Sequence, residues 1–212
     1  MIKIEKFVFN NFMVNTYLLY DETCETIVVD AGCYETREQD ELKKFISAGN
    51  LTIVRNLNTH CHIDHVLGND FIASTYGIYP EYHENSVPFF HTLQEIGSSF
   101  GYPVERIPKP KRFLADNEIV TWGNSALKVF FTPGHAEGSV CFYNETERFV
   151  ITGDVLFKDT IGRTDLPSGD FDILMRSIKT RLFTLPDDTV VYPGHGPETN
   201  IGYEKTNNPF IR

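Results

Sequence analysis

"NTHCHIDHVLGND", residues 58–70, sets three histidines and an aspartate within the six positions His60–His65. Crowded imidazoles that protonated together would repel one another, and a shared cation removes that conflict by holding them all neutral. Without a cation, such a loop cluster serves no packing purpose. In extended chain His60 and His62 point to the same side with α-carbons about 6–7 Å apart, close enough to grip one ion. Cys61, between them, then points the other way. Asp64 and His65 are adjacent, so their side chains are expected to diverge and to need a second ion or a tight turn.

The cluster follows a β-type run, "LTIVRNLNTH" (51–60). Three other hydrophobic runs also end abruptly in a metal-type residue: "LKVFFTPGH" at His135, "RFVITGD" at Asp154 and "TVVYPGH" at His195. Strands lying side by side would bring these loops to one rim. Five of the seven histidines fall in this set. Seven candidate ligands are too many for one tetrahedral zinc and suit two ions sharing a water.

Around these runs the pattern alternates between strands and helices. "IKIEKFVF", "NTYLLYDE" and "ETIVVDAG" read as strands. "ETREQDELKKFISAG" (35–49) has helical spacing, with apolar Leu42, Phe45 and Ile46 and Gly49 as a stop. "VLGNDFIASTYG" (66–77) reads as a helix, and "IYPEYHENS" as a short strand and loop. Residues 84–112 divide into a part-helical stretch and a proline-punctuated basic loop. Strands resume at 113, "FDILMRSIKTRLFTL" (171–185) reads as one helix, and the tail from 197 reads as short and polar. The expected organisation is a single domain over 1–212, a layered α/β fold with sheet faces packed together and helices outside.

The chain has 212 residues, 41% of them hydrophobic, enough for one substantial core. Its net charge of −10 disfavours nonspecific nucleic-acid binding. No stretch approaches the ~18–20 apolar residues of a membrane span. The four cysteines form no C-x-x-C pair, and no secretory signal is evident. The expectation is a cytoplasmic protein with reduced thiols.

These motifs together resemble the metallo-β-lactamase superfamily over nearly the whole chain. T-H-x-H-x-D-H is followed by "TPGHAEGSV" (His135), "GDVLF" (Asp154) and "PGHG" (His195), and "VVDAG" (Asp30) matches the first motif of that family. The subgroup most resembled is the short glyoxalase II-like hydrolases, through "GDVLFKDTIGRTDLPSGD" and "GHGPETNIGYEKTNNPF". The resemblance implies a four-layer αββα sandwich with metals at one edge. It assigns His60, His62 and His135 to a first metal and Asp64, His65 and His195 to a second, with Asp154 bridging. Asp64, as a ligand, and Asp30, as an orienting partner beside the site, are the residues it ties to catalysis. Two divalent ions are implied, zinc in the first place, with iron or manganese also compatible.

The implied reaction is thioester hydrolysis of the S-lactoylglutathione type, by a water that loses its proton between two cations. Full-length glyoxalase II adds a helical domain that helps to bind glutathione, and the stretch after His195 is too short to hold one. The substrate is therefore expected to be a small thioester or ester, not a nucleic acid and not a membrane. Arg163, in "IGRTD", could fork onto a substrate carboxylate, or instead pair with Asp165 or Asp170. His83 and the aromatics Tyr79, Tyr82, Phe89 and Phe90 could line a pocket, or simply pack.

The strongest alternative is a persulfide dioxygenase on the same fold, with one iron on His60, His135 and Asp154. Those enzymes share "GRTD" and an "NTHCHxDH" motif but usually read "PAHDY" where this chain has "PGHGPETN". A non-catalytic metal-binding scaffold fits worse, because a structural zinc site is closed by four ligands. The sequence leaves the oligomeric state open.

Overall fold

Alternation along each strand divides its side chains between two cores, and this divides the molecule into layers. The computed structural model describes residues 1–211. Its first half contains β1 (Lys3–Phe9), β2 (Val14–Tyr20), β3 (Glu25–Val29), α1 (Thr36–Ala48), β4 (Thr52–Leu57), α2 (Ile63–Val66), α3 (Asn69–Tyr76), β5 (Pro80–His83), α4 (Val87–Ser99) and β6 (Arg112–Leu114). The six strands form one sheet in chain order, antiparallel from β1 to β3 and parallel from β3 to β6. Helical crossovers make the parallel part possible.

The second half contains β7 (Ile119–Trp122), β8 (Ser125–Phe131), β9 (Val140–Asn144), β10 (Phe149–Gly153), β11 (Leu156–Phe157), β12 (Thr160–Ile161), α5 (Phe171–Ser177), β13 (Val190–Pro193), β14 (Thr199–Asn200) and α6 (Ile201–Asn207). The second sheet runs β14-β13-β10-β9-β8-β7, with β10 and β13 parallel, and β11 and β12 form a separate ribbon.

Tyr17, Leu19, Ile27, Val29 and Leu57 of the first sheet meet Leu127, Val129, Phe142 and Ile151 of the second in the central core. Their strand neighbours face outward. Leu18, Val28 and Ile53 pack under Leu42 and Ile46 of α1 and Phe71 and Ile72 of α3. Phe130, Cys141, Val150 and Val191 pack under Leu174 of α5, Ile178, Leu182 and Ile201 of α6. The layering is α-β-β-α, as the motifs imply.

The helix expected at 35–49 is α1, capped by Glu35 through a reciprocal box with Glu38 and stopped at Gly49. The helix expected at 66–77 is interrupted, with α2 ending before Gly68 and α3 starting after it; the Gly68 N–H donates to Ala31 O at 2.7 Å. The helix expected at 171–185 is α5 followed by a π-helical turn over Ile178–Leu182. Leu174, Ile178 and Leu182 all pack in the core beneath the second sheet. The tail is polar but well fixed: β14 pairs with β13, and buried Glu204 accepts from Thr199 Oγ1 at 2.6 Å and Asn208 Nδ2 at 2.8 Å. Periodicity could not show this, because polar contacts rather than an apolar stripe hold the tail. Within 84–112, α4 supplies the helical part and the basic loop has no regular structure. Among the described residues the four cysteines are free, and no helix is long and apolar enough to cross a membrane.

Phe142 is fully buried between the sheets. Phe142→Ala should lower unfolding free energy by about 3–5 kcal/mol. Ile119→Thr, on an exposed strand position, should change it by no more than about 0.5 kcal/mol. Chemical denaturation of both variants checks the layer assignment.

Candidate metal centre

Four strand ends carry the cluster to one rim. His60 and His62 follow β4 in extended chain, and His62 enters α2 with φ −65° and ψ 153°. His135 follows β8, Asp154 follows β10, and His195 follows β13. His60 Nε2 lies 3.1 Å from His62 Nδ1, and His135 Nε2 lies 3.3 Å from the first and 3.0 Å from the second. Three imidazole nitrogens therefore face a common point. The expectation that His60 and His62 share a side, with Cys61 turned into the neighbouring apolar cluster, matches this arrangement.

A second group forms beside the first. His65 Nε2 lies 3.4 Å from Asp64 Oδ2, and His195 Nε2 lies 3.1 Å from the same oxygen. Adjacent Asp64 and His65 converge here instead of diverging, because the short helix α2 turns both toward His195. Asp154 sits between the groups. Its Oδ1 is 3.4 Å from His65 Nε2, and its Oδ2 is 3.6 Å from both His135 Nε2 and His195 Nε2.

The buried atoms His65 Nε2 and Asp154 Oδ1 have no hydrogen-bond partner among the described residues. Such orphans are costly unless something else satisfies them. Gly194 lies against the same two residues, and a Cβ there would collide with Asp154 Oδ1 and His65 Cε1. Donor type, convergence and orphaned atoms all fit cations: one against His60, His62 and His135, another against Asp64, His65 and His195, with Asp154 able to serve both.

A surrounding shell fixes the rings. Asp30, buried and at φ 53°, accepts from the Thr59 N–H and Thr59 Oγ1, each at 2.7 Å, and from His65 Nδ1 at 3.0 Å. Since the Thr59 hydroxyl donates to Asp30, it accepts from His60 Nδ1 at 3.1 Å. His135 Nδ1 donates to the Arg163 carbonyl at 2.8 Å, and His195 Nδ1 to the Met13 carbonyl at 3.2 Å. Each bond leaves the other ring nitrogen directed inward.

The electrostatics of the two groups differ. Burial, reinforced by neighbouring imidazoles, holds His60 far below the usual histidine range; burial also lowers His135 and pushes His62 down to about 3. These three stay neutral and keep their lone pairs. Burial also opposes charge on His65, but the carboxylates of Asp64, Asp154 and Asp30 outweigh it and raise His65 well above its usual range. His195 is raised in the same way, chiefly through its bond to Asp64. On that side the surrounding carboxylates favour positive charge.

A cavity of about 680 Å³ opens beside the cluster, with His62, Asp64, His135, Asp154 and His195 on its floor. Of the singled-out aromatics, Phe89 lines it, edge-on to His62 at 5.2 Å. Tyr82 and Phe90 stack on each other at 4.8 Å, Tyr79 is exposed, and His83 stacks on Phe131 at 4.2 Å. The Arg163 guanidinium forks onto Asp165 through two 2.7 Å bonds. Sequence reasoning missed Phe12, Met13, Thr59 and Gly194. Thr59 and Gly194 adjoin His60 and His195 of the cluster, which is a usable signal. Phe12 and Met13 lie in a turn joining β1 to β2, and nothing in the sequence points from there to the site.

Asp30→Asn removes charge from the acceptor that orients two histidines. It should weaken divalent-metal retention about 10–100-fold without unfolding the protein. Competition against a chromogenic chelator measures this, with circular dichroism as the control. Gly194→Ala should also lose metal, through displacement of Asp154.

The family model described as metallo-beta-lactamase superfamily matches residues 10–195. The chain is 35% identical to "Probable metallo-hydrolase YqgX" of Bacillus subtilis, over 92% of this chain and 90% of the relative. It is 33% identical to "Hydroxyacylglutathione hydrolase GloC" of Haemophilus influenzae, over 94% of this chain and 93% of the relative. Among solved structures it resembles the BLEG-1 B3 metallo-beta-lactamase, with TM-score 0.90 and 32% identity over 99% of both chains. It resembles TTHA1623 in a di-iron-bound form, with TM-score 0.86 and 30% identity over 97% of this chain and 99% of that one. It also resembles ETHE1 from Myxococcus xanthus, with TM-score 0.79 and 25% identity over 98% of this chain and 83% of that one. With a matching family model over most of its length, this chain belongs to the metallo-beta-lactamase superfamily.

Proposed function

We propose that the protein is a binuclear metal-dependent hydrolase of thioesters, the S-lactoylglutathione type being the model reaction. One observation carries the reading: seven histidine and aspartate side chains converge in two adjoining groups, with Asp154 between them and two buried atoms left unpaired. His60, His62 and His135 would hold one cation, and Asp64, His65 and His195 the other, with Asp154 shared. Zinc is the first expectation, and iron is the next, since TTHA1623 has a di-iron-bound form. When bound, such ions supply Lewis acidity and a water activated at neutral pH.

The chain's own residues do the rest. Asp30 and Thr59 fix the inward faces of His60 and His65. The carbonyls of Arg163 and Met13 fix those of His135 and His195. The apolar walls of the cavity would shield the reacting bond once a substrate fills it. Among the described residues no serine or cysteine is placed as a rival nucleophile: none hydrogen-bonds a cluster histidine, and burial pushes the Cys61 thiol far above its ordinary range. A thiolate leaves readily, so a thioester needs no strong general acid. The relative named hydroxyacylglutathione hydrolase supports this reaction class.

The ETHE1 neighbour supports the alternative, a one-iron persulfide dioxygenase using His60, His135 and Asp154. Metal per chain in the protein as purified separates the two. About two divalent ions, with thioester turnover exceeding nitrocefin turnover, is the expected result. One iron per chain with oxygen uptake on glutathione persulfide would establish the dioxygenase instead. Chelation should abolish thioester turnover, and replacing both His60 and His62 by alanine should reduce it to background. Full turnover in that double variant would sink the proposal.

A further inference from the structure

The walls of the cavity differ in chemistry from its floor. On one side α4 presents Phe89, Ile96 and, just past its end, Phe100, spaced as one stripe of a helix. Leu166 and Pro167 face them. Phe12 completes the mouth, edge-on to Phe100 at 5.3 Å and tilted against Tyr102 at 5.7 Å. The Asn11 N–H donates to the Tyr102 hydroxyl at 2.7 Å, which ties this turn to the segment after α4. Ile96 and Phe100 are 38% and 58% exposed, so apolar surface is left facing water at the entrance.

The cavity offers little to an anion beyond its floor. Arg163 is the only lysine or arginine among the described lining residues, and its guanidinium already holds Asp165. Glu137 adds negative charge to the same wall, and the chain carries −10. Glutathione has two carboxylates, which are ordinarily recognised by unpaired cationic donors. The walls provide no free donor of that kind.

We propose that this cavity is a corridor for an uncharged hydrocarbon arm of the substrate, and that Phe12, Phe89, Ile96 and Phe100 set that preference. The inference rests on the hydrolase reading and narrows its substrate class to thioesters bearing an apolar arm. A volume of about 680 Å³ is that of a pocket for a medium-sized ligand. Each methylene buried along the corridor strengthens binding about fourfold.

Non-hydrolysable thioethers test binding apart from chemistry. The metal-loaded protein is titrated calorimetrically with S-methyl and S-octyl N-acetylcysteamine and with S-methylglutathione. S-octyl should bind at least about 100-fold more tightly than S-methyl N-acetylcysteamine. S-methylglutathione should gain no more than about threefold over its N-acetylcysteamine counterpart. Ile96→Arg, on an exposed helix position, should remove most of the chain-length gain, and Ile96→Leu should keep it. Phe100→Arg provides a second cationic variant if the first folds poorly. Equal affinity for the methyl and octyl compounds, or a large gain from the glutathione portion, overturns the corridor. Turnover of S-octanoyl N-acetylcysteamine is then measured on the same samples. Tight octyl binding without turnover overturns the hydrolase reading and leaves the corridor standing. Turnover without chain-length preference does the reverse.

Discussion

The carboxylate of Asp30 holds the rim together. It is buried, it accepts two bonds from Thr59 and one from His65, and through the Thr59 hydroxyl it also sets His60. A buried carboxylate without such donors would be strongly unfavourable, and the donors without the carboxylate would be orphaned. The end of β3, the end of β4 and the start of α2 are therefore fixed to one another by a single side chain. Its left-handed backbone, at φ 53°, is a conformation aspartate tolerates better than most residues. The inward directions of two histidines follow from that one placement.

The remaining ring directions come from main-chain carbonyls rather than side chains. Arg163 contributes to the centre through its carbonyl, while its guanidinium turns away to Asp165. Met13 acts in the same way on His195. Side-chain identity at these two positions therefore says little about what they do. The two halves of the cluster also divide the electrostatic work: burial lowers the proton affinity of three imidazoles, and neighbouring carboxylates raise that of the other two. An arrangement that already contains lone pairs on one side and anionic oxygens on the other needs little rearrangement to accept cations.

Much of this was legible in the chain itself. The histidine cluster and the three other strand-end residues marked the rim, because a hydrophobic run that stops at histidine or aspartate places that residue just outside a sheet. Strand alternation gave the layers, since Leu18 and Val28 face the helices while Tyr17, Leu19 and Val29 face the other sheet. The breaks in two predicted helices were not legible. Gly68 and the π-helical turn at 178–182 answer to tertiary contacts, which helical periodicity does not encode. The fixing of the polar tail was not legible for a related reason: Glu204 and Asn208 are held by hydrogen bonds, and a polar segment held that way looks like solvent-facing chain. The cavity wall was only half visible. Phe89 stood out as one aromatic among several, but Phe12 reaches the site from a turn far away in sequence.

The rim draws on both sheets. His60, His62, Asp64 and His65 follow a strand of the first, and His135, Asp154 and His195 follow strands of the second. A cation held there would clasp the two half-folds together at one edge. Its binding energy would act between segments far apart in sequence, where chain entropy opposes association. The same ions that serve chemistry would then act as a non-covalent cross-link, so that metal supply would govern how long the two sheets stay closed against proteolysis as well as whether the site works.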